Sequence, residues 1–337
     1  MSQYPSTKIS SGLPVSNQIQ LHEMRLARAA GLLAGLGVDA AIADPPNKAH
    51  PTAWFGHWAS WLEKHLYRDS VLAGLGYYLA ALTPAVAIGL TLDVLSAKRP
   101  RLRFTATALA TWVALGAKSL ANEGETMATR LDWGDLAGAR AGLSNLCGRK
   151  PDGLAEHELA RATVESLAEN TSDSAIASLF WGSFGITPML IHRATNTLDA
   201  MVGNHSLRFE KFGKVSARAD DVLGLIPARA TALLAILTAP GVGGSISHTS
   251  RVVFRDHLKH PSPNGGWCES AWAGALGVQL GGRNVYESGV EYRGLLNAGA
   301  SRPAGRACRQ AARLVKIVSW TAGGLCAAAL IGWRRRG

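Results

Sequence analysis

The chain has 337 residues, 47% of them apolar and 18% charged, with a formal net charge of +11. That length allows one large domain or two smaller ones, and the composition is apolar for an ordinary soluble enzyme. Cys147, Cys268, Cys308 and Cys326 show no CxxC spacing, which excludes a cysteine zinc site and a disulfide framework. The basic residues gather in short clusters, AKRPRLR at 97–103 and the final RRR, without a nucleic-acid motif or interleaved aromatics. Nucleic acid is therefore not an expected partner, and anionic membrane lipid is.

Mean hydropathy is +0.07, an average of apolar windows and polar loops, so the windows decide. A membrane span needs about 20 predominantly apolar residues. Residues 1–20 read as a polar N-terminal tail without a cleavable signal, and 21–337 as one integral membrane catalytic domain. The first candidate span, 26–43, is interrupted by Asp39 and arginine. A turn signal, DPPNKAHP at 44–51, follows, and His50, His57 and His65 beyond it match no zinc spacing. The segment 71–95 carries one charge, Asp93, and is a good span; 104–121 is weakened by Lys118. After CGRKPDG at 147–153, the apolar segments 175–191 and 222–243 are broken by Gly and Pro, and both are suspected of being re-entrant or peripheral. The last span, 314–333, has Lys316 at its entrance, Trp320 and Trp333 near its ends and Arg334–Arg336 beyond, an aromatic belt with a basic stop. Alternating strand-like runs are scarce. The expected fold is all-α: a polytopic helical membrane protein with polar loops and interrupted or re-entrant helices carrying the site.

Four polar groups lie against these apolar runs. In VESLAENTSDSAIASLFWGSF, Glu165, Glu169 and Asp173 recur every four residues beside Asn170, one acidic stripe leading into apolar sequence. Such side chains, one helical turn apart, suit Mg²⁺ shared with substrate phosphates, and acids entering lipid-like sequence are expensive unless they act. RATNTLDAMVGN at 193–204 sets Asn196 and Asp199 on one face, and ARADDVLGLIPAR at 217–229 carries Asp220, Asp221 and Arg229, an arginine suited to a phosphate or carboxylate. HPSPNGGWCESAWAGALGVQLGG at 260–282 places Ser262 and Asn264 in a Pro/Gly loop that opens a small-residue helix containing Glu269. Against these readings stand a solvated helix face, a capping aspartate and a tight turn. No GxxxxGK[ST] and no GxSxG occurs.

The elements DPPNKAHPTAWFG, VESLAENTSD, NTLDAMVG, SARADDVLGLIPAR and SPNGGWCESAWAGALGVQLGG stand in an order and approximate spacing that resemble the adenosylcobinamide-phosphate synthases, the CobD/CbiB membrane family of cobalamin biosynthesis. The resemblance runs from about residue 30 to residue 333. It departs where the family usually has Gly-Arg-Asp and this chain has Gly148, Arg149 and Lys150, with Asp152 displaced. Ser174 also replaces a usual glycine.

The resemblance implies an ATP-dependent ligase that joins the propionate carboxyl of adenosylcobyric acid, a corrinoid substrate rather than a cofactor, to (R)-1-amino-2-propanol phosphate or a related amino-alcohol phosphate. Mg²⁺ is expected on Glu165, Glu169, Asp173 and Asp199. Asn170, Asn196, Arg229, Ser262 and Asn264 are expected to hold substrate or phosphate, and Glu169, Asp220, Asp221, Arg229 and Glu269 to act catalytically, with Asp220, Asp221 and Glu269 as unranked candidates for the base. The expected place is the cytoplasmic membrane, multi-pass, with the site on the cytoplasmic face and other membrane enzymes of the pathway as associates. Two other classes fit acidic helices at a membrane: a Mg²⁺-dependent transferase acting on a lipid or isoprenoid diphosphate, and a transporter with broken helices.

Overall fold

The computed structural model describes residues 15–44, 50–204, 206–286 and 289–332. Most of the tail expected at 1–20, part of the DPPNKAHP turn, Trp333 and Arg334–Arg336 lie outside the described residues. The elements are α1 (Val15–Ile42), α2 (Pro51–Leu66), α3 (Val71–Leu95), α4 (Pro100–Ala114), α5 (Ala117–Asp132), α6 (Leu136–Leu143), α7 (Glu156–Thr171), α8 (Ala177–Phe184), α9 (Ile186–Val202), α10 (Lys214–Thr238), α11 (Ile246–Asp256), α12 (Gly265–Leu276), strands β1 (Leu280–Tyr286) and β2 (Gly289–Leu296), and α13 (Gly305–Gly332). Helices α3, α13 and α10 with its short continuation to Val242 are long and apolar enough to cross a membrane. Along α3, Leu72, Leu79, Ile88, Leu90 and Val94 stay exposed, as a lipid-facing helix requires. The all-α expectation holds.

Each backbone break in the apolar helices has its freed polar group answered. Pro84 in α3 lacks an N–H, and the Thr83 hydroxyl donates to the Ala80 carbonyl that this leaves free, at 2.8 Å. Pro227 in α10 frees the Leu223 carbonyl in the same way, and the Trp181 indole N–H donates to it at 3.2 Å. The helix suspected of interruption at 222–243 is therefore continuous and starts at Lys214. The segment 175–191 is interrupted: Gly185, at φ 157°, a value open to glycine, separates α8 from α9. Asp93, the lone charge of the 71–95 segment, caps α9 by accepting from the amides of Ile186 (3.3 Å) and Thr187 (2.9 Å), and pairs with Arg103 at 2.8 Å.

Three details add to the expectations. The first helix begins at Val15, inside the stretch read as a tail, and buries Leu32 and Leu36 where α1 packs on α4 and α13. The 104–121 segment is two helices, because Leu115 is extended and Gly116 starts α5. The chain also contains a β-hairpin, antiparallel β1 and β2, with a bulge between Leu280 and Gly282. Gly281 turns there at φ 81°, and a Cβ would collide with the Gly294 carbonyl of the facing strand.

The main core joins α5, α7, α10, α12 and α13 around fully buried Trp272, Leu167, Leu159 and Val315. A second cluster joins α2, α3 and α9 around Tyr77 and Phe212. Between them, the ends of α7, α9, α10 and α12 meet under the hairpin.

Candidate active site

α7 continues into α8 through a π-helical turn, Ser172–Ile176, in which the Ser174 hydroxyl donates to the Asn170 carbonyl at 2.7 Å. A spacing of four residues advances about 40° around an α-helix at 3.6 residues per turn, and a π turn shifts the phase again. The acidic stripe therefore diverges. Glu165 faces the hairpin, Glu169 stands at a junction, and Asp173 faces α9 and α10.

Glu165 is fully buried and committed to structure. Its carboxylate meets Arg149 Nη2 at 2.5 Å, accepts from the Gly281 amide at 2.6 Å and lies 3.9 Å from Arg161. Arg161 in turn donates to the carbonyls of Gly281 (2.5 Å) and Arg283 (2.6 Å). Burial by itself would raise the Glu165 carboxyl; Arg149, Arg161 and the Gly281 amide outweigh it and hold the group below the usual range. Arg149 is the arginine that the chain keeps from Gly-Arg-Asp, the departure being Lys150, and its charge is the one Glu165 needs. Glu165, expected as a Mg²⁺ ligand, is placed away from the cavity, with its oxygens already engaged.

Two adjoining cavities share Glu169, Asp199, Asp221 and Ser262 as walls. The inner one, about 230 Å³, is also lined by Asn170, Asp173, Asp220, Asn264 and Cys268. The outer one, about 670 Å³, is also lined by His260, Tyr286, Glu291 and Arg293. Burial, reinforced by Asp220, Glu169 and Asp199 and opposed by Arg193, pushes the Asp173 carboxyl well above its usual range. Asn196 stands one step behind the wall, taking a long contact from Arg193 (3.5 Å) and donating to Asp220 Oδ1 at 3.3 Å. Asn170 donates backwards to Ser166 O at 2.9 Å and Oγ at 3.0 Å, which leaves its amide oxygen for the cavity.

The Pro/Gly loop closes on itself. The Ser262 hydroxyl accepts from the amides of Asn264 (3.2 Å) and Gly265 (3.0 Å), and Asn264 ties the loop to α10 by donating to Asp221 O at 2.8 Å. Arg229 donates to Asn264 Oδ1 at 2.7 Å and lies over Trp267. Expected as a phosphate partner, Arg229 lies outside both cavity walls and orients Asn264. At Gly265 the backbone passes so close to Glu169 and His260 that an added Cβ would sit 2.5 Å from the Glu169 carboxylate.

Beside Glu169, fully buried Glu269 faces His260 and Arg293. His260 Nδ1 accepts from the Ser262 amide at 3.0 Å, and Nε2 lies 3.4 Å from Glu269 and 3.8 Å from Glu169. Arg293 Nη1 is 2.8 Å from that Nε2 and 3.3 Å from Glu269, while Nη2 donates to the Tyr286 hydroxyl at 3.1 Å. Burial, with Glu165 and Glu169 adding to it and His260 opposing, raises the Glu269 carboxyl to about 7. His260 is raised in spite of its burial, through Glu269 and then Glu169.

Among the described residues, Glu169, His260 and Glu269 offer ligand atoms within 4.8 Å of one another. Arg293 already supplies a cation there. Asp173, Asp199, Asp220 and Asp221 around the inner cavity offer the hard oxygen donors that Mg²⁺ takes, although no three of them converge as closely as that trio. His260, Tyr286, Glu291 and Arg293 escaped the sequence reading. His260 opens the Pro/Gly loop already singled out, and the other three follow from the hairpin, whose signal was the alternation in NVY and GVEY.

Among the described residues, three membrane-capable helices and a carboxylate-walled cavity under a hairpin define a helical membrane protein with a polar site set among its helix ends. The family model described as CobD/Cbib protein matches residues 32–315. The chain is 42% identical over 311 residues to a cobalamin biosynthesis protein CobD of Mycobacterium tuberculosis, covering 92% of this chain and 97% of that protein. It is 42% identical over 263 residues to one of Geobacter metallireducens (76% and 82% covered) and 37% identical over 284 residues to one of Rhodobacter capsulatus (82% and 88% covered). No solved structure matches. The chain belongs to the CobD/CbiB family of cobalamin biosynthesis proteins.

Proposed function

We propose that residues 21–337 form one catalytic domain of the cytoplasmic membrane that condenses the propionate carboxyl of adenosylcobyric acid with (R)-1-amino-2-propanol phosphate, or a related amino-alcohol phosphate, with ATP. The observation that carries this reading is the pair of joined acidic cavities in a chain of this family. A carboxylate becomes an acylating agent when its oxygen takes the γ-phosphoryl group of ATP, giving an acyl phosphate and ADP. The amine then attacks the acyl carbon, phosphate leaves, and the nitrogen gives up a proton. Amide synthesis thus brings phosphate-bearing substrates to a wall of carboxylates, which repels them unless a cation intervenes.

Mg²⁺, held by Asp173, Asp199, Asp220 and Asp221, would supply that neutralising charge. The chain's own residues do the rest. The wall carboxylates favour the ammonium end of the amino alcohol, Asn170 and Ser262 present polar groups to the substrates, and Arg293 with Tyr286 from the hairpin bounds the outer cavity. Glu169 faces both cavities and lies beside His260, which suits it to receive the amine's proton.

The test supplies membranes containing the protein with adenosylcobyric acid, aminopropanol phosphate and Mg·ATP, and follows the amide by mass spectrometry and ADP by a coupled assay. Amide and ADP in equal amounts are expected. Diphosphate release without ATP consumption from an isoprenoid substrate would instead assign the transferase chemistry.

A further inference from the structure

At the far end of α12 from the acidic cavities lies a cavity of about 630 Å³ of opposite character. It opens where α10 and its continuation end at Val242 and where α13 begins at Gly305, so it sits between the termini of two helices apolar and long enough to cross a membrane. Its wall carries Arg302, Arg306, His248, Ser245 and Gln310, and among the described residues that line it none is acidic. Arg302 reaches the His157 ring at 3.3 Å, and neither arginine is ion-paired with a carboxylate among the described residues. Most other arginines bordering the core are engaged: Arg309 with Asp132 at 2.7 Å, Arg149 with Glu165, Arg103 with Asp93.

The surroundings are apolar and exposed. Leu233 and Leu237 stand out from α10 before the cavity, and Ile246, next to Ser245, begins α11. α11 continues with Phe254 exposed between Arg251 and Arg255 on its outer face. Two arginines without a carboxylate partner, at the end of a helix that exposes leucines, match a molecule with a phosphate at one end and hydrocarbon at the other. The absence of a wall carboxylate leaves nothing to receive a choline or ethanolamine nitrogen.

We propose that this cavity binds the headgroup phosphate of a net-anionic glycerophospholipid through Arg302 and Arg306, with the acyl chains lying on Leu233, Leu237 and Ile246. The site is separate from the acidic cavities and does not depend on the reaction assigned to them.

Purified protein in neutral detergent is mixed with phosphatidylglycerol, phosphatidylcholine or inorganic phosphate, and bound ligand is read by native mass spectrometry. Phosphatidylglycerol is expected to be retained over phosphatidylcholine. Loss should be about 5-fold for Arg306→Gln and about 25-fold for Arg302→Gln with Arg306→Gln, at about one basic residue's worth of headgroup attraction each. Arg306→Lys, which keeps the charge, should restore most of the retention, and Arg101→Gln, exposed in the first turn of α4, should change nothing. Equal retention of the two lipids, an unchanged double variant whose unfolding temperature matches the wild type, or displacement of the lipid by millimolar inorganic phosphate would overturn the proposal.

Discussion

Glu165 and Asp173 lie on one acidic stripe two helical turns apart, and they have opposite fates. Glu165 is matched by Arg149, Arg161 and a backbone amide, and it is held ionised as a strut between α7 and the hairpin. Asp173 meets mainly other carboxylates across the π turn, and its proton is held more tightly than usual. A buried carboxylate surrounded by cations builds structure, whereas one surrounded by carboxylates is an expense that a charged ligand would remove.

Breaking the strut should have the largest effect. Glu165→Ala leaves Arg149 and Arg161 facing an empty buried site, and the loss should be ~3–5 kcal/mol, read as a lower unfolding temperature of the solubilised protein. A variant as stable as the wild type would remove the strut from the account. Asp173→Asn should show the converse: amide synthesis falls ~10²–10³-fold while the unfolding temperature stays level or rises, since a neutral amide relieves the repulsion from its neighbours. If stability falls and turnover survives, the contrast between the two acids fails.

Gly265→Ala tests the junction. The added methyl would lie 2.5 Å from Glu169 and 2.8 Å from His260, and overpacking of this kind costs ~1–3 kcal/mol. Turnover should fall with it, measured against Gly153→Ala, where a Cβ meets nothing but the positive φ strains the backbone alone. The buried acid beside this junction gives a pH dependence. Glu269 binds its proton more tightly folded, at about 7, than at its ordinary 4.5. Its stabilising contribution is therefore present below pH 4.5 and lost as pH rises through 7. Glu269→Gln has no proton to lose, so its stability relative to the wild type should grow by roughly 3 kcal/mol across that window in unfolding scans. Parallel curves for the two proteins would show that Glu269 does not titrate there.

Much of this was legible in the residues. The 71–95 helix has the bounds read from its apolar run, and Asp173, Asp199, Asp220, Asp221, Ser262 and Asn264 do gather on one cavity. Periodicity and local composition act within about a turn of the chain, so they identify helices and the polar groups on them. They carry no information about which face meets which partner.

What the sequence determined alone is the helical class, the membrane-length apolar runs and the set of polar side chains set against them. Those properties follow from local periodicity and from the expense of isolated charges in apolar surroundings. Only the tertiary structure decided that Glu165 is a strut, that Arg229 holds Asn264, and that His260 and Arg293 join the wall. Arg149 lies 16 residues before Glu165 and Gly281 lies 116 beyond it, and a side chain's role is set by the charges packed against it. The hairpin was missed for the same reason. Its short alternation gains stability from Arg161, Glu165 and Asp256, which reach it from two other helices.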